Sequence, residues 1–144
     1  MNTRLISQVK QPGFTYEGAV IFMIKVKRGD VFLANLSDAI GSEQAFVRPV
    51  VIIQNNCGNK HSPTTIVACL SSKIESKAHL PTHYILPEGI GLKHRSMVLC
   101  EQIKVIDKSR LLKKICHISK GHMHIIDHKI KISLGLKNIH RQKS

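Results

Sequence analysis

GSEQAFVRPVVIIQNNCGNKHSPTTIVACLSS, residues Gly41 to Ser72, reads as a hairpin that carries one arginine and one hydroxyl to the same end. Val50, Val51, Ile52 and Ile53 are β-branched throughout, with Pro49 before them and the turn-rich Asn55, Asn56, Cys57, Gly58 and Asn59 after them. That composition and length argue for a buried strand rather than a helix. Thr64 to Leu70 repeats the pattern behind Pro63. Antiparallel pairing about the intervening loop sets residues near Arg48 opposite residues near Ser71, in a register that a long loop defines only approximately. Loops at sheet ends commonly gather functional groups, so Arg48 and Ser71 are the first candidates for a site.

Outward from this hairpin the chain keeps mostly to strand patterns. Before it, the run from Val26 through K-R-G-D-V-F-L-A-N-L predicts a strand ending in the Asn35 to Asp38 turn region. The Arg-Gly-Asp triplet at 28 to 30 reads as a strand-opening turn rather than an adhesion motif. Residues 1 to 22, with Pro12 and Gly13 and no clear periodicity, read as an extension that is disordered or reached from an upstream start, since Met23 stands directly before the first patterned segment. After the hairpin, Ile74 to His79 reads as a polar connection, and Thr82 to Leu86 and Ser96 to Cys100 as strands. Glu101 to Asp107 alternates as a further strand, with Ile103 and Val105 or Ile106 inward, allowing for a bulge. Asp107 or Ser109 would cap a short helix through Leu111, Leu112 and Ile115. Met123, Ile126, Ile130 and Leu134 recur at helical spacing and favour a C-terminal helix, although Ile130, Ile132 and Leu134 also alternate as a strand would. Short strands with few helices imply a small, strongly curved sheet or barrel closed off by that helix.

At 144 residues the chain builds one core of ordinary size. Its 22 Lys+Arg against 9 Asp+Glu give a formal net charge of +13, which makes a polyanion or an acidic protein the natural partner. Most of that excess lies from Lys104 onward, where Asp107 and Asp127 are the only acids and the net charge is +9. Cys57, Cys69, Cys100 and Cys116 form no C-x-x-C pair and read as reduced packing residues. No stretch approaches the roughly 18 apolar residues that span a bilayer, and no signal peptide is evident, so a cytoplasmic protein is expected.

So basic a chain, if an enzyme, would act on RNA or DNA. Metal-dependent nucleases hold Mg²⁺ through clustered carboxylates, whereas the acids here are few and scattered, so no metal or other cofactor is expected. Metal-free chemistry then fits: a 2′-hydroxyl attacks its own phosphate while the protein stabilises charge and moves protons. Arg48 meets the first need, because a guanidinium forks onto two phosphate oxygens and stays charged. Ser71 would donate to a third oxygen. Competing roles are a surface ion pair of Arg48 with Glu43 and a strand-end turn at Ser71. His124 and His128 share a helix face at i and i+4, yet no third metal ligand is evident, and a solvated basic face explains them better.

K-R-G-D-V-F at 27 to 32, G-S-E-Q at 41 to 44, V-R-P-V at 47 to 50, I-V-A at 66 to 68, L-P-T-H at 80 to 83 and L-C-E-Q-I at 99 to 103 form an ordered series of motifs. Together they resemble the MazF/PemK type of mRNA interferase, the toxin half of bacterial toxin–antitoxin pairs. Q-N-x-x-G-N at Gln54 to Asn59 and S-P-T at Ser62 to Thr64 draw the likeness toward its bacillus-like branch. The resemblance spans about Met23 to Leu136 and leaves 137–144 as a basic tail. It implies an SH3-like β-barrel with short helices and a C-terminal helix, in a homodimer. It also implies metal-independent, sequence-selective cleavage of single-stranded RNA to 2′,3′-cyclic phosphate and 5′-hydroxyl ends.

By the same resemblance Arg48 is the catalytic arginine, and Ser71 stands where near relatives carry threonine, keeping the hydroxyl and losing a methyl. Ser42, Glu43 and Gln44 match residues that contact RNA or assist proton transfer, and Gln102 lies near the RNA groove. Lys93, His94 and Arg95, like the C-terminal helix, are more basic than in relatives. The implied partner is an acidic, MazE-like antitoxin whose tail covers the groove, a complex the +13 charge favours. With no Trp, four Phe and two Tyr, base readout rests mainly on hydrogen bonds, and Phe46 is the stacking residue beside Arg48. Two alternatives stand beside this. A CcdB-like gyrase poison would need an apolar, tryptophan-bearing C-terminus, whereas this chain ends Ile139 to Ser144; an inactive RNA-binding barrel draws its support from Ser71.

Overall fold

Val47–Ile52 and Thr64–Ser71 form the two central strands of the protein, in a computed structural model that describes residues 24–37, 46–75 and 80–137. With Asp30–Asn35 as β1, these are β2 and β3; His83–Ile85 is β4, Met97–Asp107 β5 and Leu111–His117 β6. All pair antiparallel in one sheet of order β4-β5-β3-β2-β1-β6. The K-R-G-D segment is the strand-opening turn expected of it, with the Asp30 N–H donating to the Lys27 carbonyl at 3.0 Å.

Both faces of the sheet are covered, which explains why V-V-I-I runs apolar without alternating. One face carries Phe32, Ala34, Val50, Ile52, Val67 and Cys69, packed with Val26, Leu36, Ile106 and Leu111. The other carries Val31, Val51, Ala68, Leu70, Val98 and Cys100, and is covered by helix α2 (Lys120–Leu134) through Met123 and Ile126. Of the apolar positions that predicted this helix, Met123 and Ile126 are buried, Ile130 is half-buried against the same layer, and Leu134 is exposed. Gly135, at φ 70°, ends the helix in the left-handed conformation, and its N–H and that of Leu136 bond the Ile132 and Lys131 carbonyls.

Four expectations change. The turn-rich segment after β2 is a short helix, α1 (Asn56–His61), because the Asn55 side chain accepts the Gly58 N–H at 2.7 Å and so caps it. The two strands expected over Ser96 to Cys100 and Glu101 to Asp107 are one strand, β5, interrupted by a bulge. Ala68 faces Ile103 while the next residue, Cys69, faces Leu99, so Cys100, Glu101 and Gln102 are extra. Beyond the bulge Ile106 is the buried residue and Val105 is 66% exposed.

Asp107 does cap a helix, accepting the Ser109 N–H at 2.9 Å, but only one 3-10 turn, Lys108–Arg110. Leu111, Leu112 and Ile115 then belong to strand β6, which satisfies the outer edge of β1. Lastly, the barrel does not close: β4 and β6 are the two edges of an open sheet, and no ladder joins them among the described residues. The three-residue β4 instead lies against α2.

Gly91 shows how tightly the turn before β5 is built. Its φ is +113°, and a Cβ there would lie 2.9 Å from Cys116 Cβ in β6. Gly91→Ala should therefore lower stability by about 2 kcal/mol, the scale of a strained backbone conformation. An unchanged urea midpoint would refute the closeness of that contact.

Candidate functional site

Arg48 and Ser71 sit at the same end of the sheet. Val50 pairs with Cys69 and Val51 with Ala68, and the same register carried two residues outward sets Arg48 opposite Ser71. Alternation along the strands puts both on the face of Val50 and Cys69. Burial pushes the Cys69 thiol up, and the Arg48 and then the Lys104 charges pull against it, so both cations lie near this sulfur. Arg48 is partly exposed, and its guanidinium carbon lies 4.6 Å from the centroid of the Phe46 ring, itself 50% exposed. An exposed aromatic held by a cation in this way presents a flat face to solvent. Ser71 is buried, and its Oγ accepts the Lys73 N–H at 3.1 Å, which leaves its own O–H to donate.

The bulge in β5 lies beside this end of β3. Gln102 is exposed within it. Glu101 accepts hydrogen bonds from Thr82 Oγ1 at 2.7 Å and His83 Nε2 at 3.0 Å. Burial would raise its carboxyl, but the bonds from Thr82 and His83 outweigh that and hold it below the ordinary carboxylate range. Ser42, Glu43 and Gln44 lie outside the described residues. Sequence reasoning passed over Lys104. It faces Val67 on the Arg48 side of the sheet, and only the bulge, which resets the alternation of β5, brings it there.

Residues 27–134 match the family of PemK-like, MazF-like toxins of type II toxin–antitoxin systems. The chain belongs to this family. It is 49% identical over 120 residues to the endoribonuclease MazF of Staphylococcus epidermidis, covering 83% of this chain and 99% of that protein. It is 50% identical over 112 residues to the endoribonuclease EndoA of Bacillus subtilis (strain 168), covering 77% of this chain and 96% of that protein. The fold is also that of solved MazF-type structures. An endoribonuclease from a mycobacterial species superposes with a TM-score of 0.66 at 22% identity over 81% of this chain and 97% of that one. A MazE–MazF structure from Deinococcus radiodurans gives 0.68 at 18% identity, over 80% and 100%.

Other polar groups of this MazF-type fold tie its elements together. Asp30, buried at the start of β1, accepts the Lys27 N–H at 2.9 Å and meets His117 Nδ1 at 2.7 Å and Lys114 Nζ at 3.3 Å, both from β6. Tyr84 in β4 and His122 in α2 share a hydrogen bond of 2.6 Å. Lys108 Nζ donates to the Asn59 carbonyl, and burial lowers its pKa. All four cysteines are free, Cys69 and Cys100 buried; burial, ahead of the Glu101 charge, pushes the Cys100 thiol up to about 12. Among the described residues no group of three or more His, Cys, Asp or Glu is arranged to hold a metal ion, and no helix is long and apolar enough to cross a membrane.

Proposed function

We propose that this MazF-type toxin, an endoribonuclease, cuts single-stranded RNA at the Arg48–Ser71 end of the sheet by metal-independent attack of a 2′-hydroxyl. The reading rests on one observation above all, the β2–β3 register, which when carried two residues beyond the Val50–Cys69 pair brings Arg48 and Ser71 to one end and one face of the sheet. In the reaction the 2′-oxygen bonds to the adjacent phosphorus and loses its proton to a base. The bond from phosphorus to the 5′-oxygen breaks, and that oxygen takes a proton. The products are a 2′,3′-cyclic phosphate and a 5′-hydroxyl. Arg48 stabilises the charge that gathers on the phosphorane oxygens, and Ser71 donates to one of them. Ser42, Glu43 and Gln44 are assigned to RNA contact or proton transfer, and Phe46 and Gln102 to RNA contact. Phe46 supports this as a stacking platform, since stacking reads single strands where duplex geometry is absent.

The toxin works as a homodimer in the cytoplasm and halts growth by cleaving mRNA. An acidic, MazE-like antitoxin covers the groove, and the net charge of +13 steers and holds that partner. In EDTA the purified protein should cut a long single-stranded RNA internally and leave the same sequence intact when annealed to its complement. Binding without cutting would mark an inactive RNA-binding protein.

The serine gives a second check. A hydrogen bond to a charged group is worth ~1.5–3 kcal/mol, so Ser71→Ala should slow cleavage about tenfold or more. Ser71→Thr, which keeps the hydroxyl, should match or exceed the wild type. Equal rates for all three would return Ser71 to a turn role.

A further inference from the structure

The bulge in β5 aims a carboxylate onto the face of the sheet that carries Arg48. His83 in β4 pairs with Leu99, and Leu99 with Cys69, so all three share the face of Val50, Cys69 and Arg48. Glu101 is bonded to that histidine and therefore stands on the same face. Its two oxygens are fixed separately. Thr82 Oγ1 donates to Oε1 at 2.7 Å and His83 Nε2 donates to Oε2 at 3.0 Å, while the Leu80 N–H reaches the other ring nitrogen, Nδ1, at 3.4 Å. The His83 side chain is only 5% exposed, whereas that of Glu101 keeps 34%. A seated imidazole thus holds an open carboxylate in one orientation.

Other acids of the protein are matched to cations: Asp127 to Arg28, Asp30 to Lys114 and His117, Glu88 to Arg95. Among the described residues no ion pair joins Glu101 to a lysine or arginine. Burial is outweighed by the Thr82 and His83 bonds, which keep the carboxylate ionised, so it only accepts, and each oxygen has a lone pair to spare. On a face that receives a polyanion, such a group repels phosphate. It favours binding only where the RNA donates a hydrogen to it, and it penalises whatever cannot. β5 is separated from β2 by β3 alone, about 10 Å at two strand spacings. RNA laid from Arg48 across β3 passes the bulge, where base edges offer donors. Adenine, cytosine and guanine carry an exocyclic amino group, and uracil has none.

We infer that Glu101 is a specificity residue of the cleavage site: it accepts a hydrogen bond from the exocyclic amino group of a base near the cut, admitting adenine, cytosine or guanine there and disfavouring uracil. Thr82 and His83 act through it as positioning residues. The inference deepens the ribonuclease reading above and rests on it.

The test gives the full chain a pool of single-stranded RNA randomised in sequence and reads the bases around each cut by sequencing the fragments. The wild type should disfavour uracil about tenfold at one position near the cut, the scale of one base contact. Glu101→Gln, which sets an amide N–H where an acceptor stood, should lose that preference and keep those at other positions. Thr82→Val removes one bond to the carboxylate but leaves its charge; it should lower the urea midpoint and retain the preference. A wild type indifferent to uracil at every position, or an unchanged preference in Glu101→Gln, would overturn the inference. Oligocytidine and oligouridine of about 12 nucleotides, methylated at every 2′-oxygen so that they resist 2′-attack, give a binding arm by fluorescence anisotropy. The wild type should bind the cytidine strand more tightly, and Glu101→Gln should narrow the gap; equal affinities, or an equal effect of the substitution on both strands, would overturn the inference. A cytidine preference that Glu101→Gln loses, in a wild type that cuts no native RNA, would strike the ribonuclease reading and leave Glu101 as a base contact.

Discussion

Arg48→Ala is expected to slow RNA cleavage by two orders of magnitude or more while leaving the fold intact. Removing one preorganised group that stabilises transition-state charge costs about 10²–10³ in rate, and Arg48 lies at the end of the β2–β3 pair that also carries Ser71. Its neighbourhood supports that role: the guanidinium lies over Phe46, and its charge reaches the buried Cys69 thiol. Arg48→Lys should recover only part of the rate, because an ammonium supplies charge but not the planar fork that grips two phosphate oxygens. Lys104, the other cation near Cys69, gives a control for charge alone; Lys104→Ala should weaken RNA binding more than it slows the chemical step. Arg48→Ala with wild-type turnover would remove the residue from the mechanism.

The largest expected effect on stability is at Ile126. Its side chain is fully buried where α2 meets the layer of Val31, Val51, Ala68 and Leu70, and Ile126→Ala should cost about 2–5 kcal/mol by leaving a cavity that the sheet cannot fill. Leu134 lies two turns further along the same helix with 57% of its surface exposed, and Leu134→Ala should change stability by under about 0.5 kcal/mol. Urea unfolding of both variants checks the contrast. Similar losses at the two positions would mean that α2 is not seated on this face.

How much of this was legible in the residues differs from element to element. β2 and β3 were readable because they are buried on both faces, where β-branched runs meet no competing pattern. The placing of Arg48 and Ser71 at one end of the sheet follows from those two strands, whose pairing runs from Ile52–Val67 to Val50–Cys69. Leu111 to Ile115 was misread as helix because L-L-K-K-I fits either period; what decides it is the unpaired edge of β1, a tertiary demand that local pattern does not carry. The bulge at Cys100 to Gln102 was allowed for but not located, and Lys104 was missed with it. Asn55 was counted as a turn residue when its side chain caps a helix, since asparagine serves both purposes equally well. Family likeness implies an SH3-like barrel; among the described residues no ladder joins β4 to β6, and α2 lies against the short β4.

The central claim is that the Arg48–Ser71 end catalyses attack by the RNA's own 2′-hydroxyl without a metal. Its most direct test is the chemistry of the ends produced by the wild-type protein from single-stranded RNA in EDTA, read by mass spectrometry of the fragments. Undiminished cutting with 2′,3′-cyclic phosphate on one side and 5′-hydroxyl on the other is the predicted result; cutting that EDTA abolishes, or fragments bearing 5′-phosphates, would contradict it.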